Sequence, residues 1–259
     1  MSDHDDLLRL ALTTAEAAGS LLRERFRRPP TGVASKSSAT DPVSDADRDA
    51  ETLIAHALRE AVPDDAVLGE EGASRTGASG RRWIVDPLDG TVNYLYGIAQ
   101  WAVSIACEDG QGLLLGVVHD PLAGETFSAL RGRGAWLGGT RLQVIASVPL
   151  ERALVGTGFS YHAEARVEQA RLVGSVLPRV RDVRRAGSAA LDLAAVAAGR
   201  LDAFYEHGLM PWDLAAGELL VREAGGVVLE LPAGAVLPAG TLAGGAETCA
   251  AMRPLLPPR

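Results

Sequence analysis

The stretch Trp-Ile-Val-Asp-Pro-Leu-Asp-Gly-Thr-Val-Asn-Tyr, Trp83 to Tyr94, constrains this chain more than any other. It opens as an apolar run with a β-branched pair, which predicts the end of a buried strand, and that strand is expected to stop at Asp86-Pro87. Pro87 lacks an N–H and restrains the residue before it to extended backbone, so the carboxylates of Asp86 and Asp89 emerge on a stiff turn. Gly90 lets the backbone approach a ligand closely, and Thr91 starts a short helix whose free N–H groups suit an anion. Two carboxylates beside an anion site would repel a phosphate unless a divalent cation lay between them. The pattern therefore points to hard, oxygen-ligated metals of the Mg²⁺ type. Taken alone, Asp-Gly is an ordinary turn dipeptide, so the remainder of the chain has to support the metal.

The 259 residues are enough to bury a full core as one large or two closely packed domains. No apolar run approaches the roughly 20 residues that span a bilayer, so no membrane anchor is expected. The start, Met-Ser-Asp-His-Asp-Asp, is acidic and leads straight into an amphipathic segment, unlike a secretory leader, which predicts a cytoplasmic protein. Cys107 and Cys249 are far apart and unpatterned, so both are expected as buried small apolar residues, neither bridged nor metal-bound. A net charge of −8 argues against a general nucleic-acid surface; an acidic protein that handles phosphate must concentrate positive charge locally, as bound metal would.

Along the chain, Leu7 to Phe26 reads as a helix with Leu8, Ala11, Ala15, Ala18 and Leu22 on its apolar face, followed by a loop or frayed hairpin from Thr31 to Thr40 that contains Lys36. Ser44-Asp45-Ala46-Asp47 caps a second helix, and a short strand at Ala66 to Leu68 runs into Gly69-Glu70-Glu71. Trp101–Glu108 and Leu113–His119 form a hairpin, and further short strands extend it into an antiparallel meander. Beyond Pro149 strands and helices alternate: helices at Ala163–Val176, Ser188–Ala198 and Asp213–Ala224, and strands at Ala153–Gly156, at Asp202–Tyr205 and near Val183, Val227 and Leu242.

Acidic residues recur at the edges of these elements. Each alone is explained by capping or solvation, Asp47 and Asp213 as helix caps and Glu70-Glu71 as a solvated pair. Together with the flanking residues they form a pattern: Lys36-Ser-Ser-Ala-Thr-Asp41-Pro-Val-Ser-Asp45-Ala-Asp47, Gly69-Glu70-Glu71, Trp83-Ile-Val-Asp86-Pro-Leu-Asp89-Gly90-Thr91 and Trp212-Asp213-Leu-Ala-Ala-Gly217. In order and spacing these motifs resemble the inositol monophosphatase family of Mg²⁺-dependent, lithium-sensitive phosphatases, over nearly the whole chain.

The resemblance implies an α+β to α/β fold, a layered α-β-α-β-α sandwich, for 1–259 as one domain, with a metal-binding antiparallel half at 1–149 and a substrate-lining α/β half at 150–259. It implies two to three Mg²⁺ ions. Glu70, Asp86 and the carbonyl of Leu88 would ligate the first and Asp86, Asp89 and Asp213 the second, with Glu70 also near a looser third. Asp47 and Thr91, with Glu70, would prepare the attacking water, and the N–H groups of Gly90 and Thr91 would receive phosphate. Gly187, Ser188, Ala189 and Glu206, with Asp89 and Asp213, would line the substrate. Ser44 stands where the family usually has threonine, and Leu88 where isoleucine is also common; neither change removes a ligand.

The implied activity is hydrolysis of inositol 1-phosphate or a related polyol phosphate, by a homodimer. The same chemistry on histidinol phosphate, fructose 1,6-bisphosphate or a 3′-phosphoadenosine nucleotide is an alternative, and so is a metal-binding regulatory protein with incidental turnover. Glu206 favours a polyol, because a carboxylate accepts hydrogen bonds from hydroxyls and repels a second phosphate; an ammonium group would suit it too. Among the histidines, His119 is expected as an ordinary strand-end residue, while His207, beside Glu206, is left undecided.

Overall fold

Helix α1 (Asp3–Arg25) buries Leu7, Ala11, Ala15, Ala18 and Leu22, an apolar stripe at three- to four-residue spacing that fits a helix laid on a sheet. It starts at Asp3 and not at Leu7, because Asp3, Asp5 and Asp6 in the first turn complement the helix dipole; Leu7, not Leu8, is the buried member of the pair. The structure is a computed structural model that describes residues 3–36, 38 and 40–258. Met1 and Ser2 of the acidic start, and Ser37 and Ala39 of the quoted loop motif, lie outside the described residues.

After α1 come a two-stranded pair, β1 (Ala34–Ser35) with β2 (Pro42–Val43), then α2 (Asp45–Ala61), β3 (Ala66–Gly69), β4 (Ser74–Arg75) and the central strand β5 (Arg82–Asp89). The short α3 (Thr91–Leu95) leads into the meander β6 (Ala102–Asp109), β7 (Gly112–Asp120), β8 (Glu125–Leu130), β9 (Gly134–Leu137) and β10 (Thr140–Arg141). The second half continues with β11 (Leu154–Thr157), α4 (Ala163–Val176), β12 (Asp182–Arg184), α5 (Ala189–Ala197) and β13 (Ala203–His207). It ends with α6 (Pro211–Glu223), β14 (Val227–Leu231), β15 (Gly240–Gly244) and α7 (Ala246–Met252).

The eight-stranded sheet runs β10-β9-β8-β7-β6-β5-β3-β4, antiparallel except for β3 beside β5. The five-stranded sheet runs β12-β11-β13-β15-β14, with β11 parallel to both its neighbours. Three apolar clusters define the layers. Leu22, Ile54 and Leu58 of α1 and α2 pack with Trp83 and Ile105 on one face of the large sheet. Leu193 and Leu220 of α5 and α6 pack with Ile84 and Val118 on one side and Phe204 on the other, filling the space between the sheets. Val176, Cys249 and Met252 of α4 and α7 cover the outer face of the small sheet against Val155 and Tyr205. The order is α-β-α-β-α, as the motif resemblance implies.

Two strand ends differ from expectation. Strand β5 does not stop at Pro87: it pairs Asp86 with Ser104 and Asp89 with Ala102, so three steps on β5 match two on β6. Pro87 has no N–H to give the ladder, and the extra residue is accommodated as a bulge that re-aims both carboxylates. Strand β13 extends past Tyr205 to His207, and Glu206 is a paired position opposite Thr241 rather than a rim residue after the strand.

Candidate active site

The bulged end of β5 fixes the first group of polar atoms. Asp86 Oδ1 accepts the N–H of Leu88 at 2.9 Å, an Asx-type turn across Pro87. Gly90 is the N-cap of α3 with φ 96° and ψ 34°, and a Cβ there would stand 2.9 Å from the carbonyl oxygen of Gln100. Both the left-handed backbone and the close approach call for glycine. Thr91 Oγ1 lies 2.9 Å from Asp47 Oδ1 and 3.1 Å from the carbonyl oxygen of Leu88.

Asp47 and Asp213 occupy matching places. Each was expected as a cap, and each sits at the third helical position with its carboxylate reaching back. Asp47 Oδ2 accepts from Ser44 N at 2.9 Å and Ser44 Oγ at 2.6 Å, and Asp213 Oδ2 accepts from Met210 N at 2.7 Å. In both cases the capping bond uses one oxygen; the other is taken by Thr91 Oγ1 in Asp47, while Asp213 lines the cavity. Asp89 is tied to a third helix start: its Oδ2 accepts from Ser188 Oγ at 2.5 Å and Ala190 N at 2.7 Å, at the N-terminus of α5.

These placements bring Asp86, Asp89 and Asp213 together, with one carboxylate oxygen of each within 4.8 Å of the others. Burial, reinforced by the charges of Glu70, Asp89 and Asp213, holds Asp86 well above the usual carboxylate range. Asp213 is raised likewise by burial and then by Asp89. Asp89 is pushed up to about 6 by burial, opposed by the hydrogen bonds from Ser188 and Ala190. Three buried carboxylates repelling one another are unfavourable without a counterion, and an all-oxygen donor set suits a hard divalent cation.

Glu70 stands outside that trio. Its Oε1 is 2.8 Å from Lys36 Nζ, and the same ammonium also bonds Glu71. Burial opposes the lysine's charge, but the two glutamates hold it protonated, well above its ordinary range. Burial pushes Glu71 up to about 7 even so. Glu51, on α2, shapes this loop from below by accepting the N–H groups of Glu71 and Ala73, each at 2.8 Å.

A cavity of about 660 Å³ runs from Lys36 and Glu70 past the trio to Gly187, Ser188, Ala189 and Glu206. Ser188 lines it with its hydroxyl already given to Asp89. Glu206 lies against Gly158, where a Cβ would meet its Oε2 at 2.0 Å, and burial pushes its carboxyl up to about 8. His119 is buried and bonds Thr126 Oγ1 at 2.9 Å, away from the cavity. His207 does line the cavity, with Nδ1 2.9 Å from the carbonyl oxygen of Pro238. Both cysteines are free and buried.

Three contributors escaped the sequence. Asn93 donates to the carbonyls of Gln100 at 2.8 Å and Ala186 at 2.9 Å, tying α3 to the segment before α5; its place in the central motif was the available signal. Arg185 lines the cavity with its guanidinium 5.9 Å from the Phe159 ring centroid. Asp192 is a buried acid in an otherwise apolar helix, and that contrast was its signal.

The sequence and the fold are similar to those of known proteins. The inositol monophosphatase family model matches residues 3–253. The chain is 44% identical to "Nus factor SuhB" of Pseudomonas aeruginosa over 229 residues, 86% of this chain and 84% of that one. It is 48% identical to "Inositol-1-monophosphatase SuhB" of Mycobacterium tuberculosis over 206 residues, 76% of this chain and 71% of that one. The solved structure of extragenic suppressor protein suhB from Bartonella henselae superimposes with a TM-score of 0.89 at 36% identity, covering 97% of this chain and 98% of that one. By that match over nearly its whole length, with relatives and a shared fold at these identities, the chain belongs to the inositol monophosphatase family.

Proposed function

We propose that this protein is a Mg²⁺-dependent phosphomonoesterase acting on inositol 1-phosphate or a related polyol phosphate. The observation that carries the reading is the trio Asp86, Asp89 and Asp213, largely withdrawn from solvent and converging within 4.8 Å beside the start of α3.

Asp86, Asp89 and Asp213 would hold one cation, and Glu70, Asp86 and the Leu88 carbonyl another, the second set requiring Glu70 to turn from Lys36. Bound there, Mg²⁺ lowers the pKa of water and offsets charge on the departing oxygen. The protein's own groups do the remainder. Thr91 Oγ1 donates to Asp47 Oδ1, which leaves its lone pairs to accept a hydrogen bond from an incoming water; if that water gives up its proton to Thr91, the hydroxyl's own proton passes to the Asp47 carboxylate. Asp47 is kept in place by its two bonds from Ser44. The N–H groups of Gly90 and Thr91, at the first turn of α3, have no acceptor within the helix and suit phosphate oxygens. Gly187, Ala189 and Glu206 border the end of the cavity where the alcohol portion would lie, and Glu206 would accept its hydroxyls.

A phosphate-release panel with Mg²⁺ over inositol 1-phosphate, histidinol phosphate, fructose 1,6-bisphosphate and a 3′-phosphoadenosine nucleotide tests the reading; the polyol ester is expected to lead. Glu206→Gln should lower kcat/KM on it about tenfold to a hundredfold, the loss of one charge-assisted hydrogen bond. We further propose a symmetric homodimer in the cytoplasm, where free buried cysteines remain reduced; a solution mass near the 27.0 kDa of one chain would contradict the dimer. The name "Nus factor" on a relative 44% identical favours a second, non-catalytic role beside turnover. Asp86→Asn, silent in turnover, would retain such a role in a complementation assay.

A further inference from the structure

The cavity holds, beside Glu206, a second carboxyl to which the proposed chemistry assigns no task. Asp192 lies on α5 one turn beyond Ser188, so it projects from the same face of that helix. It is 4% exposed and lines the cavity. Among the described residues its carboxyl has no hydrogen bond and no ion pair. Burying a carboxyl without a partner is unfavourable, and a group that bonds nothing holds nothing together.

Gly156 of β11 adjoins Asp192; a Cβ on it would stand at an ordinary contact distance of 3.7 Å from Asp192 Cγ, and Gly158 leaves the neighbouring space to the Glu206 carboxyl. The charge of Asp192 helps to raise the Glu206 carboxyl, and Arg185 opposes the shift of both. Burial pushes Asp192 up to about 8, with Asp89 adding to the shift and Arg185 opposing it. Asp192 is not a member of the carboxylate trio, so a metal does not explain it.

We propose that Asp192 is a specificity-determining residue of the cavity that accepts a hydrogen bond from a donor on the alcohol portion of the substrate, beside Glu206. The proposal rests on the phosphatase reading. The shared chemistry is an O–H or N–H donor on the ester's alcohol, and a polyol hydroxyl or an ammonium group would each supply it.

The test uses Asp192→Asn, which keeps the shape, and Asp192→Leu, which removes the polarity. In chelator-treated protein at least one variant should melt about 2–4 °C or more above wild type, since an unpartnered buried acid has been removed. A lower melting temperature for both would make Asp192 a structural residue and overturn the proposal. With Mg²⁺, kcat/KM is compared for inositol 1-phosphate, an aminoalkyl phosphate and p-nitrophenyl phosphate. The variants should lose about tenfold to a hundredfold more on one of the first two than on p-nitrophenyl phosphate, and the ester that loses most identifies the donor. Equal losses on all three esters would overturn the proposal while leaving the phosphatase reading intact. A wild type that releases phosphate from none of them refutes that reading, and this proposal with it.

Discussion

Ser188 Oγ lies 2.5 Å from Asp89 Oδ2, a contact between positions 99 residues apart that fastens the end of β5 to the start of α5. The hydroxyl is also the N-cap of α5, accepting Leu191 N at 3.3 Å. Ser188→Ala therefore removes a cap, worth about 1 kcal/mol of stability, and the largest influence holding the Asp89 carboxyl down. The acid limb of the kcat/KM profile should move to higher pH than in wild type. An unshifted limb with unchanged Mg²⁺ dependence would contradict the role given to this bond.

Asp89→Asn keeps the shape of the trio and removes one negative ligand. Mg²⁺-dependent turnover should be lost while the chelator-treated protein melts no lower than wild type, because like charges have been relieved. Near-normal turnover at saturating Mg²⁺ would exclude Asp89 as a ligand.

Burial keeps Glu71 up at about 7 and Asp192 and Glu206 at about 8, all above their unfolded values. The folded protein thus binds more protons than the unfolded chain from about pH 4 to pH 8, and stability falls as pH rises through that window. Metal-free protein should melt lower at about pH 8 than at about pH 5, and Mg²⁺, which favours ionised carboxylates, should raise the melting temperature more at the higher pH. Melting curves with chelator and with Mg²⁺ decide this; a metal-free optimum above neutrality would contradict it.

Gly116 lies where β7 passes α6, and a Cβ there would meet the carbonyl oxygen and Cα of Ala216 at 2.8 and 2.9 Å. Backbone cannot swing aside as a side chain can. Gly116→Ala should therefore destabilise by about 1–3 kcal/mol, read by denaturant titration. Stability equal to wild type would mean the layers are less tightly packed than described.

Thr91→Val preserves volume and removes the hydroxyl that joins Asp47 to the Leu88 carbonyl. It should reduce kcat about a hundredfold or more with the Mg²⁺ midpoint little moved, and Thr91→Ser should restore much of the rate. Equal losses in both variants would assign Thr91 to packing.

Much of the site was legible because its chemistry is local. Asp86-Pro-Leu-Asp-Gly-Thr91 encodes strand end, turn and helix start within six residues, and Ser44 to Asp47 encodes a cap. The errors were local as well. A proline inside a strand looked like its end, when the ladder absorbs it as a bulge, and Glu206 was placed past a strand that continues through it. Partnerships across long separations were hidden. Nothing near Lys36 announces that it bonds Glu70, 34 residues on. Asp192, the one charged residue of α5, is seen to be buried only once the layers close around it.

Asp86, Asp89 and Asp213 are proposed to make this chain a metal-dependent phosphatase. This is tested most directly by phosphate release from inositol 1-phosphate by wild type and Asp213→Asn, with Mg²⁺ and with chelator. The account predicts turnover for wild type with Mg²⁺ alone, and none for the variant or with chelator. Turnover that persists in the variant, or under chelation, would contradict it.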